Sequence, residues 1–212
     1  IPLEEVMPDG LDAAKREVAL GDDIPAGAND DAYFVVDFAA RHYFPDLTSI
    51  TLTHTVVRVM TKDAIDRYGE RSLPNDAIPL LVRTIKQDGS VRVPEETAGK
   101  STLSMPGLAE GDFVEVAYLQ YGSAQLPRTN VEGVRFYFRM DDISTRLSEY
   151  VILGERADFM RRNDAPEPEE IEIGGVKGVR FVARNNPRPR DEPRAVPGNE
   201  FLPWIQMYRR GT

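Results

Sequence analysis

Hydrolysis or transfer at an amide bond needs a thiolate or an activated hydroxyl, an imidazole base and an acid that orients the base. Of these parts the chain supplies two histidines, His42 and His54, and 35 Asp and Glu residues, but no cysteine. A thiolate nucleophile, a thiolate metal site and a disulfide are therefore all absent from these 212 residues. A hydroxyl nucleophile has no motif either: there is no Gly-x-Ser-x-Gly, and Ser90 in Asp88-Gly89-Ser90 is explained by its turn. His54 lies among apolar residues at 52 and 56 and reads as a packed, hydrogen-bonded side chain. His42 precedes Tyr43, Phe44 and Pro45 and reads as loop or surface packing. The two are twelve residues apart across a turn, so a shared metal would require one strand register and would be lost in the next. Paired carboxylates for glycoside hydrolysis carry no signal, because so many acids supply many pairs. No catalytic, cofactor-binding or metal-ligating residue is assigned.

Binding surfaces fare similarly. Tyr118, Tyr121, Phe136, Tyr137 and Phe138 would suit a sugar platform, but aromatics in strands are usually core or cross-strand pairs. Arg184, Arg188, Arg190 and Arg194 are interleaved with Pro, Asp191 and Glu192 and read as a solvated linker. Gly174 to Gly178 lacks the strand-to-helix setting of a phosphate loop and reads as a turn.

The elements that must position these residues centre on 82–121. Val82–Lys86 and Val91–Val93 alternate, and Asp88-Gly89 between them is a strong hairpin signal, since Gly accepts positive φ and Asp bonds its own turn. Pro106-Gly107 and Gly111-Asp112 bracket a loop, and Phe113–Tyr121 is β-branched and aromatic, as a strand requires. Elsewhere, 11–20 has helix composition, Tyr33–Phe38 is a buried strand, and His42–Asp46 is a turn region. Residues 48–61 alternate with Ile50, Leu52, His54, Val56 and Met60 on one face. Asp63–Gly69 makes one or two helical turns. Val131–Arg139 and Thr145–Leu153 are strands joined across Met140–Ile143. Glu169–Ile173 and Val179–Arg184 form a hairpin. Nine to eleven strands with one or two short helices imply a mostly β, antiparallel, two-sheet sandwich-like fold.

Charge and composition narrow the partners. The net charge is −9, and −8 of it lies in residues 1–46, with eleven acids against three bases, which reads as a solvated face. Such a balance argues against nucleic acid and anionic membranes. No apolar run reaches 18 residues, so no membrane insertion is expected in this span. The chain starts at Ile1 without a basic-then-apolar leader and reads as a piece of a longer protein.

Arg83-x-Ile85-Lys86-x-Asp88-Gly89-Ser90, followed by Pro106-Gly107-Leu108-x-x-Gly111-Asp112-Phe113-Val114-Glu115-Val116-x-Tyr118, resembles the bacterial domain of unknown function directly N-terminal to transglutaminase-like domains. Asn29–Ala32, Thr53–Thr61 and Asn199–Gln206 fit the same pattern, so the resemblance covers roughly 29–206. It implies a non-catalytic accessory domain, in a periplasmic or extracellular bacterial setting, that positions or presents substrate to a downstream transglutaminase-like domain in the same polypeptide. The alternative from another class is an independent sandwich that binds envelope glycan or polysaccharide. The expected organisation is an N-terminal segment 1–28 with one helix, a sandwich over 29–184, and an extended Pro-rich segment 185–212 that leads to the downstream domain. Asp88, Gly89, Pro106, Gly107, Gly111 and Asp112 are expected to form the structural turn motif. Trp204, Ile205 and Tyr208 are the interdomain interface candidates, because large apolar side chains after a charged Pro-rich stretch need a place to be buried.

Overall fold

The computed structural model describes residues 30–46, 48–94, 102–123, 131–140, 142–154, 158–189 and 198–208. The helix expected at 11–20, and with it the N-terminal segment, lies outside the described residues. In chain order the elements are β1 (Ala32–Tyr43), β2 (Ser49–Val59), α1 (Lys62–Tyr68), β3 (Glu70–Ser72), β4 (Ile78–Ile85), β5 (Val91–Arg92), β6 (Thr102–Ser104), β7 (Phe113–Gly122) and β8 (Val131–Tyr137). There follow β9 (Ser144–Leu153), β10 (Phe159–Arg162), β11 (Glu169–Ile173), β12 (Val176–Asn186), α2 (Gly198–Phe201) and β13 (Trp204–Tyr208).

The fold is mostly β and sandwich-like. One sheet has eight strands in the order β11-β12-β9-β1-β2-β7-β4-β5, a second has three, β10-β13-β8, and β3 pairs with β6. All pairings are antiparallel except that of β1 with β9, at the middle of the large sheet. A parallel pair is stable only where both faces are covered, so its strands need apolar side chains on both sides. This accounts for the unbroken apolar run at the start of β1, where Ala32, Tyr33, Val35, Val36 and Phe38 are all buried. β2 alternates instead. Leu52, His54 and Val56 are buried on one face, whereas Thr51, Thr53 and Thr55 on the other are half-buried.

The large sheet has a core on each face. On the face of His54, Tyr33, Val36, Phe38, Leu52, Val56, Ile85, Phe113 and Val151 form one cluster, with Ile171, Ile173 and Val176 of the β11–β12 hairpin packed against it. All of these belong to the sheet itself, so curvature of the sheet buries this face. The opposite face is covered in two places. Near β2 and β7, Ala64 and Tyr68 of α1, with Met105 and the half-buried Leu73, pack on Val57, Val59, Val114 and Val116. Near β9 and β12, Ile205 and Met207 of β13 and the adjacent Phe138 pack on Tyr150, Ile152 and Phe181. α1 is closed at both ends: Thr61 Oγ1 accepts from Ala64 N, and Gly69 N donates to Ile65 O.

The structure corrects several expectations. β1 runs through His42 and Tyr43, because these residues still pair with Ile50 and Ser49; only Pro45-Asp46 turn. β8 and β9 are not partners: the chain between them crosses from one sheet to the other, and Asn186 Nδ2 donates to Phe138 O at 2.8 Å along the way. The β11–β12 turn is Gly174-Gly175 alone, both at positive φ, as a two-residue hairpin of this hand demands. Gly178 lies inside β12, where an added Cβ would sit 2.2 Å from Ile152 O, so its glycine answers a close approach and not a turn. Strands before and after residues 124–130 share the large sheet, in keeping with the single sandwich expected over 29–184.

The largest correction concerns 185–212. Within this segment β13 is the central strand of the three-stranded sheet, pairing with β10 on one side and β8 on the other. Trp-Ile-Gln-Met-Tyr alternates, and that pattern outweighs the prolines before it. Ile205→Ala is expected to destabilise the 212-residue chain by about 2–5 kcal/mol, because it empties a fully buried site in a packed core. Denaturant melts check this; a loss below about 1 kcal/mol would mean that β13 does not close the core.

Candidate functional site

The 82–121 stretch folds as two turns tied to one carboxylate. In the first, Gly89 N donates to Lys86 O and Ser90 N donates to Asp88 Oδ1 at 2.8 Å, with Gly89 at φ 81°. Hydrogen bonds from the Ser90 hydroxyl and amide hold the exposed Asp88 carboxyl below the usual carboxylate range. In the second, Pro106-Gly107 turns with Gly107 at φ 62°, and Gly111 follows at φ 85°. Gly111 also has no room for a side chain, since a Cβ would meet the Gln87 amide. Asp112 is buried between the turns. It accepts from Ala109 N at 2.8 Å, from Gln87 N at 3.3 Å and from Lys86 Nζ, which also donates to Gly107 O. Lys86-x-Asp88-Gly89 and Gly111-Asp112 are thus two halves of one junction. Its chemistry is structural: every group is spent on the backbone of the loops it joins.

A second buried cluster lies on the concave face. Glu115 on β7 pairs directly with Arg83 on β4 and stands diagonal to His54 on β2. Its Oε1 is 2.9 Å from His54 Nε2 and its Oε2 accepts from Arg83 Nε at 2.5 Å. His54 and Glu115 are fully buried, and Arg83 reaches the surface with 18% of its side chain. The carboxylate draws the imidazole proton to Nε2, so Nδ1 is left as an acceptor, and it has no partner among the described residues. An imidazole held by a carboxylate is the orienting half of an acyl-transfer site. Here both groups are shut from solvent, and they work as a buried hydrogen-bonded pair joined to Arg83.

On the same face, across Phe38, Glu149 on β9 is 2.7 Å from Arg180 Nε on β12. The opposite face carries Asp37 at the β1–β9 seam. Its carboxyl accepts a hydrogen bond from Ser148 Oγ at 3.1 Å. Burial, partly offset by that hydroxyl, pushes the carboxyl up to about 6. Asp30 fixes the start of the seam, accepting from Ser144 N at 2.8 Å and lying 3.3 Å from Arg188 Nε.

The residues singled out by sequence are dispersed. His54 is packed and hydrogen-bonded. His42 pairs with Ile50, four positions along the ladder from His54 opposite Phe38, so the two rings do not share a site. His42 instead lies against Phe44, and burial lowers its pKa. Among the described residues no group of three or more His, Asp or Glu could hold a metal. Of the five candidate platform aromatics, Phe138 is buried and Phe136 is stacked on Tyr150. Tyr118 and Tyr137 are half-buried, leaving Tyr121 exposed by itself. Trp204 lies under the Arg135 guanidinium, 4.1 Å from its ring centre, and is 6% exposed; Ile205 is fully buried. These two interface candidates are therefore core residues of this chain. Tyr208 ends β13 opposite Val131, and its side chain lies outside the described residues. Sequence reasoning missed Asp37 and Glu115 as buried charges and Arg83 as the half-buried neighbour of Glu115 in the sheet. The available signal was parity: each occupies a core-facing position in an apolar strand.

No protein-family model matches the chain. No curated protein matches it either. Among solved structures, it is similar to a crystal structure of "a putative protease" from Parabacteroides distasonis, at 15% identity and a TM-score of 0.65. The match covers 85% of this chain and 40% of that one, so this chain spans well under half the length of that protein. At this identity the likeness concerns the fold.

Two outcomes follow from the buried charges. Glu115→Ala should cost about 3–5 kcal/mol, since it leaves Arg83 and His54 without their shared partner. Glu115→Gln should cost less, because an amide still accepts from Arg83. A loss under about 1 kcal/mol for Glu115→Ala in denaturant melts would show that the cluster does not hold β2, β7 and β4 together. For Asp37, the folded carboxyl binds its proton more tightly than the unfolded one at about 3.8. Its stabilising contribution is therefore complete below pH 4 and is lost as pH rises through about 6. Relative to wild type, Asp37→Asn should gain stability between pH 4 and 7 by roughly 3 kcal/mol at most. A difference between the two proteins that stays constant over that window would contradict the burial of an isolated carboxyl.

Proposed function

We propose that this chain is a non-catalytic accessory domain that positions or presents substrate to a transglutaminase-like catalytic domain of the same polypeptide, in the bacterial envelope. The observation that carries this reading is the fold match, in which a sandwich like this one accounts for 40% of a longer chain described as a putative protease. The chemistry of the residues agrees. There is no thiol in the sequence, and His54, the buried imidazole paired with a carboxylate, is enclosed in an ion-pair cluster. Glu149 and Asp112 are likewise paired with Arg180 and Lys86. A domain that spends its charges on its own strands and turns serves as a scaffold. Glycan binding by a row of aromatics finds no such row among the described residues.

Purified 1–212 is expected to turn over neither a glutaminyl peptide nor an activated ester. In the parent polypeptide, removal of 1–212 should raise KM for a protein substrate more than it lowers kcat, the mark of lost binding contacts. Turnover by 1–212 that survives repurification and is abolished by one point mutation would overturn the proposal. So would a parent enzyme whose KM and kcat are both indifferent to the loss of this domain.

A further inference from the structure

Among the described residues, the outer edge of the concave face is left uncovered along β4. Six large hydrophobic side chains are exposed among the described residues, and five of them, Ile78, Leu80, Val91, Val93 and Tyr121, belong to β4, the β5 strand and its end, and the end of β7. Register strings them along the length of β4: Ile78 pairs with Leu119, two residues from Tyr121, at one end of the strand, and Val91 pairs with Ile85 at the other. All but Leu80, which sits at a bulge, share the face of Glu115. Soluble edge strands are ordinarily protected by charge. Here β5 covers only Thr84 and Ile85, and the rest of β4 has no outer strand partner among the described residues.

The geometry points to this patch as the surface on which the adjoining catalytic domain docks, an inference that rests on the accessory reading above. Three observations select that occupant. First, the edge is poorly made for strand addition, because Pro79 has no N–H and the register shifts between Pro79 and Leu81. A second copy would therefore have to bind through side chains alone. Five partly exposed side chains fall short of the roughly 800 Å² per partner that a stable dimer buries, and a net charge of −9 repels a copy. A tethered domain binds at high effective concentration and needs far less surface. Second, the solved chain that shares the fold is more than twice the length that this chain covers, so a protein of this architecture has a further body to place. Third, the last described strand ends within reach. β13 ends at Tyr208 opposite Val131, and Val131 is nine residues from Gly122, the neighbour of Tyr121, a span of about 30 Å at most.

The test compares hydrogen exchange of 1–212 with that of the parent polypeptide. Peptides covering 78–81 and 91–93 are expected to exchange about tenfold more slowly in the parent. Val91→Glu with Val93→Glu should abolish that protection while leaving the melt of 1–212 unchanged, and Tyr121→Ser should weaken it without introducing charge. Equal exchange in both proteins would overturn the docking site; if removal of 1–212 still raised the parent's KM, the accessory reading would survive and the contact would lie elsewhere. Self-association of 1–212 in sedimentation, reversed by Val93→Glu, would also overturn it by making a second copy the occupant.

Discussion

The parallel pairing of β1 with β9 is the constraint on which the remainder depends. Without it the large sheet is two unconnected pieces, β11-β12-β9 and β1-β2-β7-β4-β5. A parallel neighbour cannot be reached by a tight turn, so the chain must complete β2 to β8 before it returns. Both faces of the seam must then be buried, and the fold meets this with the curved sheet on one side and the three-stranded sheet on the other. Polar groups fix the alignment: Asp30 binds the first amide of β9, and Ser148, four residues further on, reaches Asp37. A slip of one residue would turn Ser148 away from Asp37 and bring Leu147 or Glu149 to its register position.

The buried charges act in the same way. Taking Glu115, Glu149 and Asp37 out of water costs free energy that their partners only partly offset. What they supply is discrimination between registers. Arg83 meets Glu115 only when β4 and β7 pair as observed, and His54 joins them only when β2 does. Lys86 and Asp112 apply the same logic to the two turns, closing them onto one another so that the end of β4 and the start of β7 stay aligned. Specificity of pairing, more than net stability, accounts for ionisable groups inside a sheet of otherwise ordinary apolar composition.

Local signals made much of this legible. Alternation at 48–61 placed β2 and its two faces, Asp88-Gly89 placed its turn, and Gly69 placed the end of α1. Each of these is decided within a few residues. What sequence could not give were relations between distant segments. Nothing near Val131–Tyr137 says that its partner is Trp204–Tyr208 and not the strand that follows it. Nothing in Gly174–Gly178 distinguishes a glycine that turns from one, Gly178, that makes room for the neighbouring backbone. The candidate site suffered from the same limit. Glu115 is an unremarked acid in a β-rich stretch until the register sets Arg83 and His54 against it. Trp204 and Ile205 looked available to a neighbour because their own covering partners lie some 70 residues earlier.

The position of β13 has a bearing on how the chain is made. It is the last of the described strands in sequence and the middle strand of its sheet, and β8 and β10 are joined by hydrogen bonds only through it. Synthesis runs from the N-terminus, so both flanking strands exist before anything can join them. Until residues 204–208 arrive, Phe138, Tyr150 and Phe181 have no lid, and two strand edges stand open beside them. A ribosome that stalls short of Trp204 therefore releases a chain with exposed aromatic surface and unpaired edges, the features that chaperones and proteases recognise. Placing the keystone strand after all its partners makes translation through residue 208 a condition of a closed core.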